Sequence, residues 1–214
     1  MLKQIILLCF TVFATSLQAA SFDCKKARAE LEQTICNDAD LSALDSQLGD
    51  TYKTLLKSAS KRETEYLRET QRYWAQTRGN NCDIRNADCL AALYRQRIAT
   101  LTFYGDQDYA NSATGKVSGI YTYGKTMEMM IEALSDTELS VHITGAEPST
   151  ARWICDFGGQ GTLEEDILKM NALDDVIITV TFHKGKASVN EGADNLFCGA
   201  GGTLNGDYQK KASN

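Results

Sequence analysis

The sequence predicts an α+β protein in which a disulfide-stapled, all-helical domain precedes a small antiparallel β-sheet or barrel domain. Up to about Tyr104, apolar residues recur every three or four positions, which is the spacing of one helix face. After Gly119 they alternate at period two between glycines, which is typical of half-buried strands joined by hairpins. The predicted bounds are a signal peptide at 1–20, a helical domain at 21–104, a linker at 105–116 and a β domain at 117–214.

The chain opens with "MLKQIILLCFTVFATSLQAA", in which Lys3 precedes an apolar run and small residues follow. This pattern predicts a secretory signal peptide that is cleaved near Ala19 or Ala20. The alternative is a membrane anchor, but the apolar run is about half of the ~20 residues that a spanning helix needs. Cys9 lies within the run and not at the cleavage point, so lipid attachment is not expected. We therefore expect a periplasmic or secreted protein without a membrane span.

Three apolar stripes predict three main helices in the first domain. Asp38 or Asp40 is expected to cap the first of them and Asp88 the last, because a short acceptor side chain satisfies free backbone N–H groups. Gly79 and the two asparagines after it end the middle helix. The stripes consist of Leu41, Leu44, Leu48, Tyr52 and Leu55, then Tyr66, Thr70, Tyr73 or Trp74, and Thr77, and finally Leu90, Leu93, Tyr94, Ile98 and Leu101.

The β domain is predicted from alternating segments. "MEMMIEA", "LSVHIT" and "VIITVTF" each place apolar side chains on one face, and eight glycines between Gly119 and Gly192 separate such runs. Repeated short strands with glycine turns favour an antiparallel sheet or a small barrel. The stretch "GDQDYANSATGK" is polar and lacks periodicity, so it is the predicted linker.

The charge is distributed unevenly between the two halves. Residues 21–105 carry 13 basic and 12 acidic side chains, whereas residues 106–214 carry 8 basic and 16 acidic ones. Nucleic acid is a poor partner for such a surface, because phosphate binding needs a basic face. A cationic protein would instead be attracted to the second half.

Six cysteines remain after removal of the leader, an even number that favours disulfides in an oxidising compartment. If one continuous helix joins Cys24 to Cys36, the two lie roughly 18 Å apart, whereas a disulfide needs Cα atoms within about 7 Å. Each is then expected to reach a cysteine beside the turn before the last helix. The preferred pairs are Cys36–Cys82 with Cys24–Cys89, the reverse crossing stays open, and Cys155 is left to pair with Cys198.

The first domain resembles the LprI-type lysozyme-inhibitor family. The resemblance rests on "SFDCKKA", "ICNDADLSALD", "QRYWAQTRGNNC" and "DCLAALYRQRI", with four cysteines and the triplet Gln71, Trp74 and Arg78. It implies a helical, disulfide-bonded domain in the periplasm or on the cell surface that is associated with blocking lysozyme. On one helix face the triplet is either a contact surface or, as we favour, an arginine stem packed on an indole toward the core.

A second, partial resemblance concerns "SGIYTY". A Ser-Gly-x-x-Tyr loop is what another inhibitor family, of the MliC/PliC type, inserts into the lysozyme cleft. Here Ser118 and Gly119 are followed by Tyr121 after one residue and by Tyr123 after three. These four residues are candidates for an interaction, although an ordinary first strand is the favoured interpretation.

The acidic run Glu164, Glu165 and Asp166, near a turn after Gly161, is the other candidate for an interaction. A glycosidase needs two carboxylates that face each other across about 5–10 Å, whereas neighbouring carboxylates on a turn point apart. The sequence has no GxSxG motif, no paired metal-ligand spacing and only two isolated histidines. We therefore expect neither an enzyme nor a metal or other cofactor.

The sequence thus predicts a binding protein that inhibits a cationic lysozyme or a related wall hydrolase by occluding its cleft. The occluding segment would be Ile120–Tyr123 or Thr162–Asp166. The alternative is an envelope module that binds a small ligand or another envelope protein and has no effect on lysozyme.

Overall fold

A computed structural model describes residues 20–80, 82–173, 176–192 and 195–211. Except for Ala20, the predicted signal peptide lies outside the described residues. A run of helices is followed by an eight-stranded antiparallel barrel, which confirms the predicted fold class. The helices are α1 (Glu30–Asn37), α2 (Ala39–Ser58), α3 (Lys61–Thr77), α4 (Ala87–Tyr104) and α5 (Ala113–Val117).

The helical module, α1 to α4, is built around the predicted stripes. Leu41 and Leu48 of α2 are buried against α4, where Leu90, Tyr94 and Leu101 are almost fully buried. Removal of these side chains from water is the main stabilising contribution in a module of this size. The period of the sequence therefore predicted the core of the module correctly.

The predicted pairing of the first four cysteines is wrong. Cys24 bonds Cys36 and Cys82 bonds Cys89, with Cα–Cα distances of 5.7 Å and 5.9 Å. The segment after Cys24 is not one continuous helix, because a 3₁₀ turn at Cys24–Lys26 is followed by non-helical backbone at Ala27 and extended backbone at Ala29. This break folds the turn back beside the end of α1 and brings Cys24 to Cys36. Cys82 and Cys89 are only 7 residues apart, so their bridge also closes a short loop.

Helix α1 is held on α2 by packing and hydrogen bonding. Ile35 is fully buried, and its carbonyl accepts a 2.9 Å hydrogen bond from the Ser42 hydroxyl. Asp38 caps α2 by accepting the N–H of Leu41, as predicted. The predicted cap of α4 is wrong, because the side chain at Asn86 accepts the N–H of Cys89 there.

The segment between the modules is folded. Residues Tyr109–Asn111 form a 3₁₀ turn, and α5 follows it with Ser112 as its cap. Thr114 of α5 is fully buried and donates to the carbonyl of Ser135 in the barrel. The stretch predicted as a linker thus packs on the second module.

The barrel is a meander in which each strand pairs with the next and the first closes on the last. Apolar side chains of alternating positions fill its interior, among them Met129, Ile143, Leu168 and Tyr208. The predicted pair Cys155–Cys198 is confirmed and ties β4 to the loop before β8. The strands are β1 (Gly119–Tyr123), β2 (Met127–Ala133), β3 (Glu138–Ala146), β4 (Ile154–Glu164), β5 (Ile167–Leu173), β6 (Val176–His183), β7 (Lys186–Asn190) and β8 (Gly206–Lys210).

Candidate functional site

The two modules are joined by a buried arginine. The guanidinium of Arg97 in α4 donates to the Glu132 carboxylate of β2 over 2.6 Å, and the two side chains are 2% and 16% exposed. The same guanidinium donates to Gln71 over 3.0 Å and to Thr70 over 3.1 Å, both in α3. A charge buried in this way is stable only when its hydrogen bonds are satisfied, and here three side chains from two elements, α3 and β2, satisfy them.

Two tyrosines of α3 extend the junction. The hydroxyl of Tyr66 donates to the carbonyl of Ile131 over 3.0 Å. The ring of Tyr73 stacks on His142 of β3, with ring centroids 3.8 Å apart, and His142 Nε2 lies 3.0 Å from an oxygen of Asp156. Burial lowers the pKa of His142, while Asp156 acts in the opposite direction. The helices and the barrel therefore present a continuous surface.

In the triplet Gln71, Trp74 and Arg78, the arginine packs on the indole, which is the arrangement that the sequence analysis favoured. The Arg78 guanidinium lies 5.0 Å from the centre of the Trp74 ring and 5.8 Å from that of Tyr94. Trp74 meets the edge of Tyr94 at 4.9 Å, and Gln71 is engaged by Arg97. These residues shape the module, and the cation-π geometry fixes the end of α3.

Trp74 and Arg78 also border a cleft between the modules, which we call the junction cleft. Its volume is about 400 Å³. Leu93 and Gln96 line it from α4, and the β4 segment at residues 158–160 lines it from the barrel. The walls combine aromatic rings and amide groups with the charged side chains of Arg78, Arg97 and Glu132, a mixture that suits a small polar ligand.

The acidic candidates lie on the turn between β4 and β5. Glu164, Glu165 and Asp166 are all exposed, and Glu165 has a positive φ of 54° at the tip of the turn. Glu164 contacts a cation there, Lys169, over 3.4 Å. Carboxylates arranged in this way project into solvent and suit long-range attraction more than catalysis.

The neighbouring turn adds negative charge at the same end of the barrel. Glu138, the first residue of β3, pairs in register with Thr162, and the carbonyl of Thr137 accepts the N–H of Leu163 over 2.8 Å. Asp136 and Glu138 are both exposed. The β2–β3 and β4–β5 turns together form what we call the acidic end, comprising Asp136, Glu138, Glu164, Glu165 and Asp166.

The "SGIYTY" candidates lie in or beside the first barrel strand. Ser118 is buried and donates to the carbonyl of Thr114, and Tyr121 is 2% exposed with its hydroxyl bonded to the carbonyl of Val117. Gly119 begins β1, and Tyr123 is the one large exposed side chain of the group. Because β1 is hydrogen-bonded to β2 and β8, this segment cannot enter a cleft without opening the barrel.

The sequence analysis missed the part played by Arg97 and Glu132. Arg97 lies beside Ile98 and three residues after Tyr94, in phase with the buried stripe of α4. That position could have identified Arg97 as a buried residue. A cation in phase with a buried stripe requires a buried partner. Its partner lies 35 residues away in the other module and cannot be identified from local spacing.

In the described ranges no group of three His, Cys, Asp or Glu side chains is placed to hold a metal ion. Within the same part of the chain, no helix is both long and apolar enough to cross a bilayer.

Comparison with known proteins places the helical module in context. Residues 24–101 match the model of the family described as lysozyme inhibitor LprI, which confirms the resemblance found in the sequence. An uncharacterized protein of Rhizobium meliloti (strain 1021) is 28% identical over 122 residues, covering 45% of this chain and 87% of that relative. No solved structure matches the chain significantly. The family match ends within α4 and does not include the barrel.

Proposed function

We propose that this protein is a secreted or periplasmic inhibitor of a cationic lysozyme or a related wall hydrolase. The observation that carries the proposal is the match of residues 24–101 to the lysozyme inhibitor LprI family. Three disulfides are consistent with an oxidising compartment outside the cytoplasm. The protein would act as a rigid binding partner and not as an enzyme.

The contact surface we propose is the acidic end of the barrel, with Thr162–Asp166 as the segment that occludes the enzyme cleft. Its carboxylates are exposed, whereas the alternative segment Ile120–Tyr123 is a strand bonded on both sides. The net charge of −6 adds a long-range attraction toward a cationic enzyme. The junction between the modules would hold the barrel in a fixed orientation on the helices.

The test is a cell-wall clearing assay with the purified mature chain and a panel of c-, g- and i-type lysozymes. We expect inhibition of at least one cationic lysozyme that saturates near one inhibitor per enzyme and weakens at high salt. Reduction of the disulfides should abolish it. Absence of any effect at micromolar protein on the whole panel would contradict the proposal.

A second function is favoured by the junction cleft. Its volume of about 400 Å³ and its lining of aromatic, amide and charged side chains are suited to a small polar molecule, as expected of an envelope ligand-binding module. A chain with this function would leave lysozyme unaffected, so the clearing assay separates the two proposals.

A further inference from the structure

Two arginines border the junction cleft, and they differ in how their guanidinium groups are satisfied. Arg97 donates from all three of its nitrogens, and its acceptors are Gln71, Thr70 and Glu132. Arg78 directly follows α3 and is half-buried, and within the described residues its Nε is a buried atom without a hydrogen-bond partner. One arginine of the cleft is therefore fully paired with the protein, and the other is not.

The contacts that hold Arg78 are aromatic. Its guanidinium lies 5.0 Å from the ring centre of Trp74 and 5.8 Å from that of Tyr94. Such rings attract a cation, but they supply no oxygen to accept the N–H groups of a guanidinium. The rings therefore keep the side chain beside the cleft, and its planar set of donors stays able to bind an acceptor from outside the protein.

The charges around the cleft do not cancel. Arg97 and Glu132 lie 2.6 Å apart and neutralise each other. Glu32 and Asp45, two carboxylates of the helical module, each accept two hydrogen bonds from other groups. Across the part of the chain that the structure describes, no carboxylate forms an ion pair with Arg78. The cleft thus carries one uncompensated positive charge.

The barrel wall of the cleft supplies a row of polar side chains. Glu132 of β2, Ser140 of β3 and Gln160 of β4 are paired in register across three adjacent strands. Residues paired in this way share one face of the sheet, and the buried Leu139 beside them points inward, so the row lies on the outer face. Ser140 and Gln160 offer a hydroxyl and an amide to the cleft, and Gln96 of α4 offers a second amide from the helical wall.

A glycine lets the two walls approach. A Cβ atom at Gly158 would lie 2.9 Å from the hydroxyl oxygen of Tyr73, whose ring is held by its stacking on His142. Contacts below 3.0 Å are not tolerated, so glycine at this position allows Tyr73 to lie against β4 at the border of the cleft.

We propose that the junction cleft binds a small monocarboxylate that also carries neutral hydroxyl or amide groups, as a sugar acid or the C-terminal end of a short peptide does. The carboxylate accepts two hydrogen bonds from Arg78, in the geometry that matches a planar guanidinium. Its single negative charge balances the uncompensated charge of the cleft. The neutral groups of the ligand bind Ser140 and Gln160. This ligand class presupposes the second function proposed above, ligand binding in the junction cleft.

The test uses the fluorescence of Trp74, which borders the cleft, in the full mature chain with Trp153→Phe. The titrants are two matched pairs: N-acetyl-alanyl-alanine with its neutral C-terminal amide, and glucuronate with neutral glucose. At about pH 7 and low salt we expect one acid or both to bind with a dissociation constant of about 0.1–1 mM, about tenfold more tightly than the neutral partner. The pair with the larger difference distinguishes a peptide end from a sugar acid.

Variants locate the carboxylate. Arg78→Met should weaken binding of the preferred acid about tenfold and leave its neutral partner unaffected, whereas Arg78→Lys should retain part of the difference, because it keeps the charge but not the planar donors. Gln160→Leu should weaken the acid and its neutral partner alike, by about fivefold. The matched control is Arg72→Met, which removes an exposed charge from the same helix and should leave affinity unchanged. Thermal unfolding of each variant shows whether the fold is kept.

The comparison within each pair is made with Arg78 in place, so it does not depend on how a variant folds. Equal binding of the acids and their neutral partners would overturn the carboxylate while leaving ligand binding in the cleft intact. Tighter binding of inorganic phosphate than of either acid would also overturn it. If no probe binds below about 10 mM, ligand binding in the cleft fails together with the carboxylate, whereas lysozyme inhibition is decided separately by the clearing assay.

Discussion

The guanidinium of Arg97 in the helical module donates a 2.6 Å hydrogen bond to the carboxylate of Glu132 in the barrel. The two residues come from sequence regions with different periodicity, yet their side chains are only 2% and 16% exposed where the modules meet. A buried pair is costly to break, because the remaining charge keeps its desolvation penalty without its partner. The pair therefore couples the stability of the two modules.

Replacement of Arg97 by Met should uncouple them. Glu132 would remain buried without a partner, and we expect a loss of about 3–5 kcal/mol in the free energy of unfolding. The chain has two tryptophans, Trp74 in the helical module and Trp153 directly before β4. Trp74→Phe and Trp153→Phe each leave one tryptophan, which then reports on the unfolding of one module. With Arg97 in place, the two single-tryptophan proteins should unfold in urea at the same midpoint. With Arg97→Met added to each, their midpoints should differ.

The control for this prediction is Arg72→Met, which removes an exposed ion pair with Glu69. It should cost less than about 1 kcal/mol, because solvent screens such pairs. The double variant Arg97→Met/Glu132→Leu should recover much of the lost stability. Equal costs for Arg97→Met and Arg72→Met would contradict a coupling role for the buried pair.

Disulfide mapping tests the local pairing in the helical module. Digestion without reductant should release a peptide in which Cys24 is bonded to Cys36, since trypsin cleaves at the basic residues between them. The double variant Cys24→Ser/Cys36→Ser should lose about 3 kcal/mol, as expected for a short loop. A peptide that links Cys24 to Cys89 would contradict the structure.

The helical module shows what periodicity can and cannot predict. The stripes of α2 and α4 follow from the spacing of their leucines, because burial of one face decides which residues are apolar. The break near Ala27 has no such signal, since the stretch is made of good helix formers without glycine or proline. There the backbone is set by the contacts of the folded chain, and the pairing of the cysteines follows from it.

The barrel shows a similar division. Strands with strict alternation were predicted, while β4 was not, since its glycines interrupt the pattern. A Cβ at Gly161 would lie 2.0 Å from the carbonyl oxygen of Lys169, so the glycine is needed for β5 to approach.

The unfolding free energy should decrease in mildly acidic solution because of His142. Burial keeps the pKa of His142 below its usual value near 6.5. As the pH falls through 6.5, the unfolded chain takes up a proton that the folded chain does not, so stability is lost with decreasing pH. His142→Phe keeps a ring against Tyr73 and should flatten this dependence.

The measurement is urea unfolding at a series of pH values below neutrality. His183→Phe is the matched control, because His183 lies at the exposed end of β6. The stability difference between the wild type and His142→Phe should change with pH in this range. If it changes no more than the difference for His183→Phe, burial of His142 is not the cause.

Neutralising the acidic end should weaken the inhibition of a cationic lysozyme. Glu164→Gln/Asp166→Asn removes two exposed charges with little change in the size of either side chain, so the turn should keep its backbone conformation. We expect the inhibition constant to rise about tenfold, mainly through slower association, with a weaker dependence on salt. The clearing assay at low and high ionic strength measures both effects. The control Asp40→Asn/Asp50→Asn removes the same charge from the exposed surface of α2 and should have little effect on inhibition. If both double variants weaken inhibition equally, overall charge and not the acidic end of the barrel accounts for the effect.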